Sequence, residues 1–272
     1  MKTAFIGGGN MAEAIISRAV HLPSFDPKSI IVSDPVAEKR AHLISTYSIQ
    51  CVESNTEAIE NADLVFLAIK PQHFENVATA LSGLFRNDQT VVSIMAGVTI
   101  QNLRVNLNHS KLVRVMPNTP AQVAQGASVW TSTKEVDSSV LTEISILLDA
   151  IGYQVRVDSE DLIDAATAIS GSGPAYIFKM IEVLTEAAEE LGIPPEIAKH
   201  LVDQTFFGSS FLVKESTVSA SSLRQMVTSK GGTTEKALEI LDQRGFDSII
   251  KSAAIAAYKK SKELGGSDVL NS

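Results

Sequence analysis

Residues 3–16 read TAFIGGGNMAEAII: a short apolar strand, three glycines, then apolar residues at helical spacing. Within them Gly7-x-Gly9-x-x-Ala12 has the G-x-G-x-x-A form of a dinucleotide fingerprint, placed directly after a strand and at the opening of a helix. Each small residue has a physical reason. Gly7 permits the tight turn, Gly9 lets a pyrophosphate approach the backbone, and Ala12 lets helix and strand pack closely. Phosphates then sit on the free N–H groups of the helix N-terminus. The candidate cofactor loop is therefore Ile6, Gly7, Gly8, Gly9, Asn10, Met11 and Ala12.

The chain beyond this loop continues the pattern. Apolar runs at 3–6, 30–33, 64–69, 91–95 and 112–115 alternate with helical patterns at 10–20, 36–47, 56–61, 72–84 and 100–107. Most of the runs are continuous rather than alternating, as strands covered on both faces are. The reading is an α/β fold: an N-terminal Rossmann-type, doubly wound, mostly parallel sheet over residues 1–158. Two further edge strands are expected at 129–131 and 154–157, flanking a helix at about 135–150. After Asp158 almost every segment is helix-like: 173–191, 195–213, 220–227, 234–244 and 247–263. Residues 159–272 therefore read as an all-helical second domain. Its apolar helices, such as IIKSAAIAAYKK, have surface enough to pack against a second copy, and a homodimer is expected. The tail GGSDVLNS is expected to fray.

Composition narrows the partners. A net charge of −8 over 272 residues argues against nucleic acid or an anionic membrane surface. The single cysteine, Cys51, excludes an internal disulfide or a multi-cysteine metal site, and the five histidines show no ligand spacing, so no metal is expected. The N-terminus enters a strand at once, without the apolar stretch of a signal peptide. No run approaches the roughly 18 apolar residues of a membrane span. A cytoplasmic protein is the expectation.

The adenosine end of the cofactor is ambiguous. Asp34 follows the strand IIVS, somewhat past the usual spacing of about 20 residues from the glycines because HLPSFDPKS lengthens the connection. An acid here accepts from the ribose and favours NAD. Ser33, Lys39 and Arg40 pull toward a 2′-phosphate and NADP. Two other loops stand past strand ends, where open α/β sheets bind ligands. LAIKP places Lys70 and Pro71 there, and VMPNTP places Asn118, a residue that also suits an ordinary turn.

Two glycine-rich helix entries occur in the helical part. In SGSGPAYIF, a nucleophile elbow of G-x-S-x-G form needs glycine two residues before Ser172, and Ser170 stands there. Hydrolase chemistry is disfavoured. In VTSKGGTTEKALEIL the capping box is only half present. With Thr233 as the cap, the residue three on is Lys236, not Glu or Gln.

VRVMPNTPA, SGSGPAYIF and TSKGGTTEKALEILD, in this order behind FIGGGNMA, resemble the pyrroline-5-carboxylate reductases over essentially the whole chain. The resemblance implies a dimerisation role for the helical domain, assembly of dimers into a larger homo-oligomer, and hydride transfer from NAD(P)H to a cyclic imine, with NADPH favoured. It places adenosine-end contacts on Ser33, Asp34 and Asn55, and nicotinamide-side contacts on Ala68, Ile69, Lys70, Pro71 and Ala96. The substrate pocket falls on Gly231, Gly232, Thr233 and Thr234, with Glu160 and Met226 as neighbours. The sequence departs from the family pattern at Asp34, Lys230 and Met226.

That chemistry suits these residues. A protonated imine carries its own activation, so the protein has to hold the substrate's carboxylate and aim the imine carbon at the hydride. A helix N-terminus suits a carboxylate. Thr234, the candidate catalytic residue, is placed to hydrogen-bond the ring nitrogen, and Glu160 to stabilise the cation. Two alternatives stay open: a 3-hydroxyacid dehydrogenase, whose lysine Lys179 does not match in spacing, and a non-enzymatic NAD(P)-sensing protein.

Overall fold

The computed structural model describes residues 1–265; the rest of the tail expected to fray lies outside them. In chain order the elements are β1 (Thr3–Ile6), α1 (Asn10–Ala19), β2 (Ile30–Ser33), α2 (Ala37–Tyr47), β3 (Gln50–Val52), α3 (Asn55–Ile59), β4 (Leu64–Leu67), α4 (Phe74–Leu81), β5 (Thr90–Ser93), α5 (Ile100–Leu107), β6 (Leu112–Met116), β7 (Gly126–Ser132), α6 (Ser138–Ala150) and β8 (Gly152–Arg156). Then follow α7 (Asp161–Ala166), a π turn (Thr167–Gly171), α8 (Gly173–Glu190), α9 (Pro195–Glu215), α10 (Ala220–Met226), α11 (Thr233–Gln243) and α12 (Phe246–Leu264).

The strands form one sheet in the order β3-β2-β1-β4-β5-β6-β7-β8. Only the β6–β7 pairing is antiparallel, with Val113 opposite Ser132. β1, β4 and β5 are buried at every position, which is why their runs are apolar without alternation. Successive residues serve opposite faces. Phe5 packs with Ile15, Ile16, Phe66 and Ile144, its ring stacked 4.7 Å from that of Phe66, whereas Ala4 and Ile6 pack with Val65, Leu67, Leu103 and Leu107. Each such fully buried side chain contributes about 1.5–3 kcal/mol.

Two expectations need correction. Residues 50–52 form an unforeseen edge strand, with Cys51 paired to Val32. Of the two strands expected at edges, only β8 is one; β7 lies inside, between β6 and β8. β8 starts at Gly152, with φ 141°, where a side chain would strike the Gly126 backbone.

The chain divides into two compact units. Met1–Ser172 and the chain from Ala256 make the first, and Gly173–Ile255 the second. Residues 159–172 and the end of α12, assigned by sequence to the helical part, thus belong with the sheet. The reason is ionic. Arg114 of β6 is 1% exposed and donates to Asp164 of α7 (2.7 Å) and to Glu160 (2.7 Å), while Ser261 of α12 donates to Asp164 (2.9 Å). In the second unit α8, α9, α11 and the start of α12 leave Ile177, Phe178, Phe207, Phe211, Ile240 and Ile249 exposed. Among the described residues no helix is long and apolar enough to cross a membrane.

His109 gives the sheet unit a pH dependence. Its buried ring meets the Gln89 carbonyl at 2.9 Å and packs on Phe85, and desolvation holds the imidazole below its ordinary value of about 6.5. The unfolded chain then takes the proton first, so this contribution to stability is complete above about pH 6.5 and is lost as pH falls below it. Urea midpoints at pH 7.5 and 5 are expected to differ more in the wild type than in His109→Gln. An equal fall in both discards the assignment.

Candidate active site

At the carboxyl edge of β1, the chain turns at Gly7, whose φ of 99° a side chain rarely adopts and whose N–H donates to Ser33 (2.8 Å). A Cβ there would stand 2.7 Å from the Ala68 carbonyl oxygen and 3.1 Å from Ile69. At Gly9, by contrast, a Cβ would meet nothing within 4 Å. Gly9 is the N-cap of α1 and supplies no capping side chain, so the first-turn N–H groups at Asn10, Met11 and Ala12 face that open space. Ala12, 1% exposed, keeps α1 tight on the sheet.

The adenosine end differs in detail from a bare ribose acceptor. Asp34 is 5% exposed; its Oδ2 accepts from the Gly8 N–H and its Oδ1 from the Val36 N–H, both at 2.9 Å. The carboxylate thus braces the glycine loop. Arg40 donates to the Asp34 backbone oxygen (2.6 Å), and the half-exposed Lys39 ammonium stands 3.8 Å from the carboxylate. Two cations therefore stand at this corner. Ser33 donates to Asn55 (2.7 Å), joining the other two expected contacts. Burial pushes the neighbouring Cys51 thiol up, away from thiolate character.

Along the same edge, Ala68 donates its N–H to Ile6, Ile69 approaches Gly7, and exposed Lys70 precedes the 3-10 turn Pro71–His73. Ala96 stands in the turn that follows β5. The fold therefore gathers Ile6–Ala12, Ser33, Asp34, Asn55, Ala68–Pro71 and Ala96 along one sheet edge.

Asn118 and Glu160 have engagements that sequence did not foresee. The Asn118 amide donates to the Ser170 carbonyl (3.0 Å) and accepts from the Ala127 N–H (2.8 Å), holding the 117–120 loop to β7 and the π turn. Glu160 Oε1 accepts from Arg114 and from the Ile100 N–H (2.8 Å), a carboxylate at the N-terminus of α5. Arg114 itself, a lone cation in the apolar run LVRVM, was the signal to follow.

In the second unit α11 is capped by Gly232, not by Thr233. Counted from Gly232, the third residue is Glu235, and its Oε2 accepts from the Gly231 N–H (2.7 Å), the acidic half of a capping box displaced by one residue. The other half is missing because glycine has no side chain. The first-turn N–H groups of α11 are left without a side-chain cap, beside half-buried Thr234 and exposed Thr233. Gly231 has φ 75°, and a Cβ on Gly232 would stand 2.6 Å from Ser229 Oγ, so both glycines are needed for the turn. Met226, at the end of α10, is 71% exposed. Lys179, the lysine weighed for a hydroxyacid dehydrogenase, is an exposed partner of Glu182.

The family described as "Pyrroline-5-carboxylate reductase dimerisation" matches residues 160–264, and "NADP oxidoreductase coenzyme F420-dependent" matches residues 2–97. The pyrroline-5-carboxylate reductase of Pseudomonas aeruginosa is 41% identical over 266 residues, covering 97% of this chain and 96% of its own. The Coxiella burnetii pyrroline-5-carboxylate reductase structure aligns with TM-score 0.84 at 36% identity, over 97% of this chain and 98% of that one. The Plasmodium falciparum pyrroline carboxylate reductase, solved with NADP bound, aligns with TM-score 0.88 at 29% identity, over the same shares.

Proposed function

The chain belongs to the pyrroline-5-carboxylate reductase family, and we propose that it reduces 1-pyrroline-5-carboxylate to L-proline with hydride from NAD(P)H, the last step of proline synthesis. Hydride adds to the imine carbon, the C=N electron pair passes to the protonated nitrogen, and the nicotinamide is left oxidised. Residues 1–158 hold the dinucleotide, with its pyrophosphate on the N-terminus of α1. The helical part from residue 159, whose 159–172 stretch and α12 end pack with the sheet unit, supplies the substrate-binding and dimerisation domain, and dimers associate into a larger homo-oligomer in the cytoplasm. The observation that carries the substrate reading is the uncapped N-terminus of α11 at Gly232. Its free N–H groups hold the substrate carboxylate, and the Thr234 hydroxyl hydrogen-bonds the ring nitrogen. Met226 lies within the same short segment of the second unit.

NADPH is the preferred donor in this reading. Asp34 is spent on Gly8 and Val36, and the Lys39 and Arg40 cations beside it, which also meet Asp34 and Glu53, are placed for a 2′-phosphate. Cofactor oxidation is measured with pyrroline-5-carboxylate, comparing NADPH with NADH, and cofactor reduction with 3-hydroxy acids and oxidised cofactor. Oxidation with the imine alone is expected. Activity on hydroxy acids instead moves the assignment to the dehydrogenases.

Thr234→Ala is expected to lower kcat about 10²-fold, the scale of losing one oriented hydrogen-bonding group, with the NADPH KM changed less than about twofold. Thr234→Ser is expected to recover most of it. Steady-state kinetics of the two variants decide the point, and full activity in Thr234→Ala removes the residue from the mechanism.

A further inference from the structure

The turn after β5 is held from an unexpected direction. Gly97 has φ 75°, and a Cβ built on it would lie 2.5 Å from the Cβ of Leu264, in the last turn of α12. A Cβ on Gly265 would in turn stand 3.1 Å from the Gly97 carbonyl oxygen and 3.2 Å from Thr99 Cγ2. The end of α12 therefore abuts the Ala96–Gly97 turn backbone to backbone, at a contact too close for side chains on both partners.

Both sides of that contact are tied to one buried cation. On the α12 side, Ser261 is 3% exposed and donates to Asp164 Oδ1, which also accepts from Arg114. Lys262 adds an ion pair to Asp161 at the start of α7. On the other side, Arg114 donates to Glu160, whose Oε1 accepts from the Ile100 N–H at the first residue of α5. Thr99, the cap of α5, is two residues beyond Gly97. Arg114 stands on β6, beside β5 in the sheet, so the hub is as rigid as the core. A chain of short bonds thus runs from the end of α12 through Asp164, Arg114 and Glu160 to the N-terminus of α5.

We propose that the last turn of α12, Ser261–Leu264, is a positioning element for the nicotinamide end of the cofactor pocket. Keyed to Arg114 through Ser261 and abutting Gly97 through Leu264, it fixes the height of the Ala96–Gly97 turn at the sheet edge. The proposal rests on the reading of Ala96 as a nicotinamide-side contact. It leaves the adenosine end untouched, because Gly7–Gly9, Ser33, Asp34 and Asn55 share no bond with this network.

The test is binding, by titration calorimetry, of NADPH and of 2′,5′-ADP, which carries only the adenosine end. A Gly97→Ala side chain meets both the positive φ and Leu264. NADPH affinity is expected to fall about tenfold while 2′,5′-ADP stays within about twofold, a change confined to the nicotinamide half. Adding Leu264→Gly removes the facing Cβ and is expected to recover at least about threefold of the loss, a coupling that separate structural defects would not show. Ser261→Ala, which introduces no clash, serves as the independent variant, with an expected loss of about threefold for NADPH and none for 2′,5′-ADP. Unaltered NADPH affinity in Gly97→Ala and Ser261→Ala overturns the proposal. So does an equal loss for both ligands, or a double variant no better than Gly97→Ala. These are binding readouts, so a wild type that binds NADPH but reduces no cyclic imine overturns the functional reading and leaves this result standing.

Discussion

Gly9→Val is expected to abolish NAD(P)H binding while costing the fold only about 1 kcal/mol, the difference between glycine and an apolar residue as an N-cap. Its φ of −79° and ψ of 176° are open to any residue, and a Cβ there meets no protein atom within 4 Å. The space it enters is the one into which the α1 N–H groups point, and a pyrophosphate has to fill it. A branched side chain takes that volume and covers the donors together. An affinity loss of at least about a hundredfold is expected, equivalent to about 2.7 kcal/mol, with the melting temperature lowered by roughly 2–4 °C. Gly7→Ala is the contrasting variant. Its φ of 99° and the Ala68 carbonyl 2.7 Å from the new Cβ strain the turn itself. Both cofactor affinity and stability are expected to fall there. Calorimetric titration with NADPH beside thermal unfolding separates the two cases. Normal NADPH binding by Gly9→Val removes the glycine loop from the cofactor site.

The elements legible in sequence were those whose local signal and burial agree. β1 and β2 are mostly apolar and lie inside the sheet, and their bounds coincide with the expected runs. β3 is three residues, exposed Gln50 and half-buried Cys51 and Val52, whose strand character comes wholly from pairing with β2. No local pattern announces such a strand. β7 was expected at an edge over 129–131, yet it lies between β6 and β8, with Ser128 and Thr131 buried. α7 was missed since DLIDAA is a single short stretch of helix that runs straight into a π turn. It is held by Asp164 on Arg114, fifty residues away in sequence.

The site divides in the same way. Glycines report backbone conformation, which is local, so Gly7, Gly9, Gly231 and Gly232 were legible as turns and close approaches. Polar side chains choose partners through the fold. Asp34 as a carboxylate after β2 was visible; its bond to the Gly8 N–H, twenty-six residues back, was not. Glu160 was visible as a candidate to stabilise the substrate cation, but its partners are Arg114 and the start of α5. The cap of α11 was misplaced by one residue for a simpler reason. A threonine hydroxyl can cap a helix, but the bend at Gly231 sets the helix start at Gly232.

Arg114→Met is expected to destabilise the protein by about 3–5 kcal/mol, the cost of leaving buried charge unpaired. Arg114 is 1% exposed, and the Asp164 side chain it serves is 6% exposed. Glu160 is 30% exposed and keeps the Ile100 N–H, so its own loss is the smaller part. Asp164 keeps the Ser261 hydroxyl and, at 4.0 Å, the Lys262 ammonium that Asp161 also holds, and neither replaces the guanidinium at 2.7 Å. At roughly 2–4 °C per kcal/mol for a unit of this size, the melting temperature is expected to fall by about 6–20 °C. The informative comparison is Arg114→Met with Asp164→Leu. Removing both charges eliminates the unpaired carboxylate, and replacing a buried pair by apolar residues of similar volume is often neutral. At least half of the lost stability is expected to return. If the double variant is no more stable than Arg114→Met, the hub acts through shape rather than charge. The double variant also cuts Ser261 and Glu160 from their common anchor. It is therefore expected to refold well and still bind NADPH more weakly than the wild type, stability and positioning parting company in one protein.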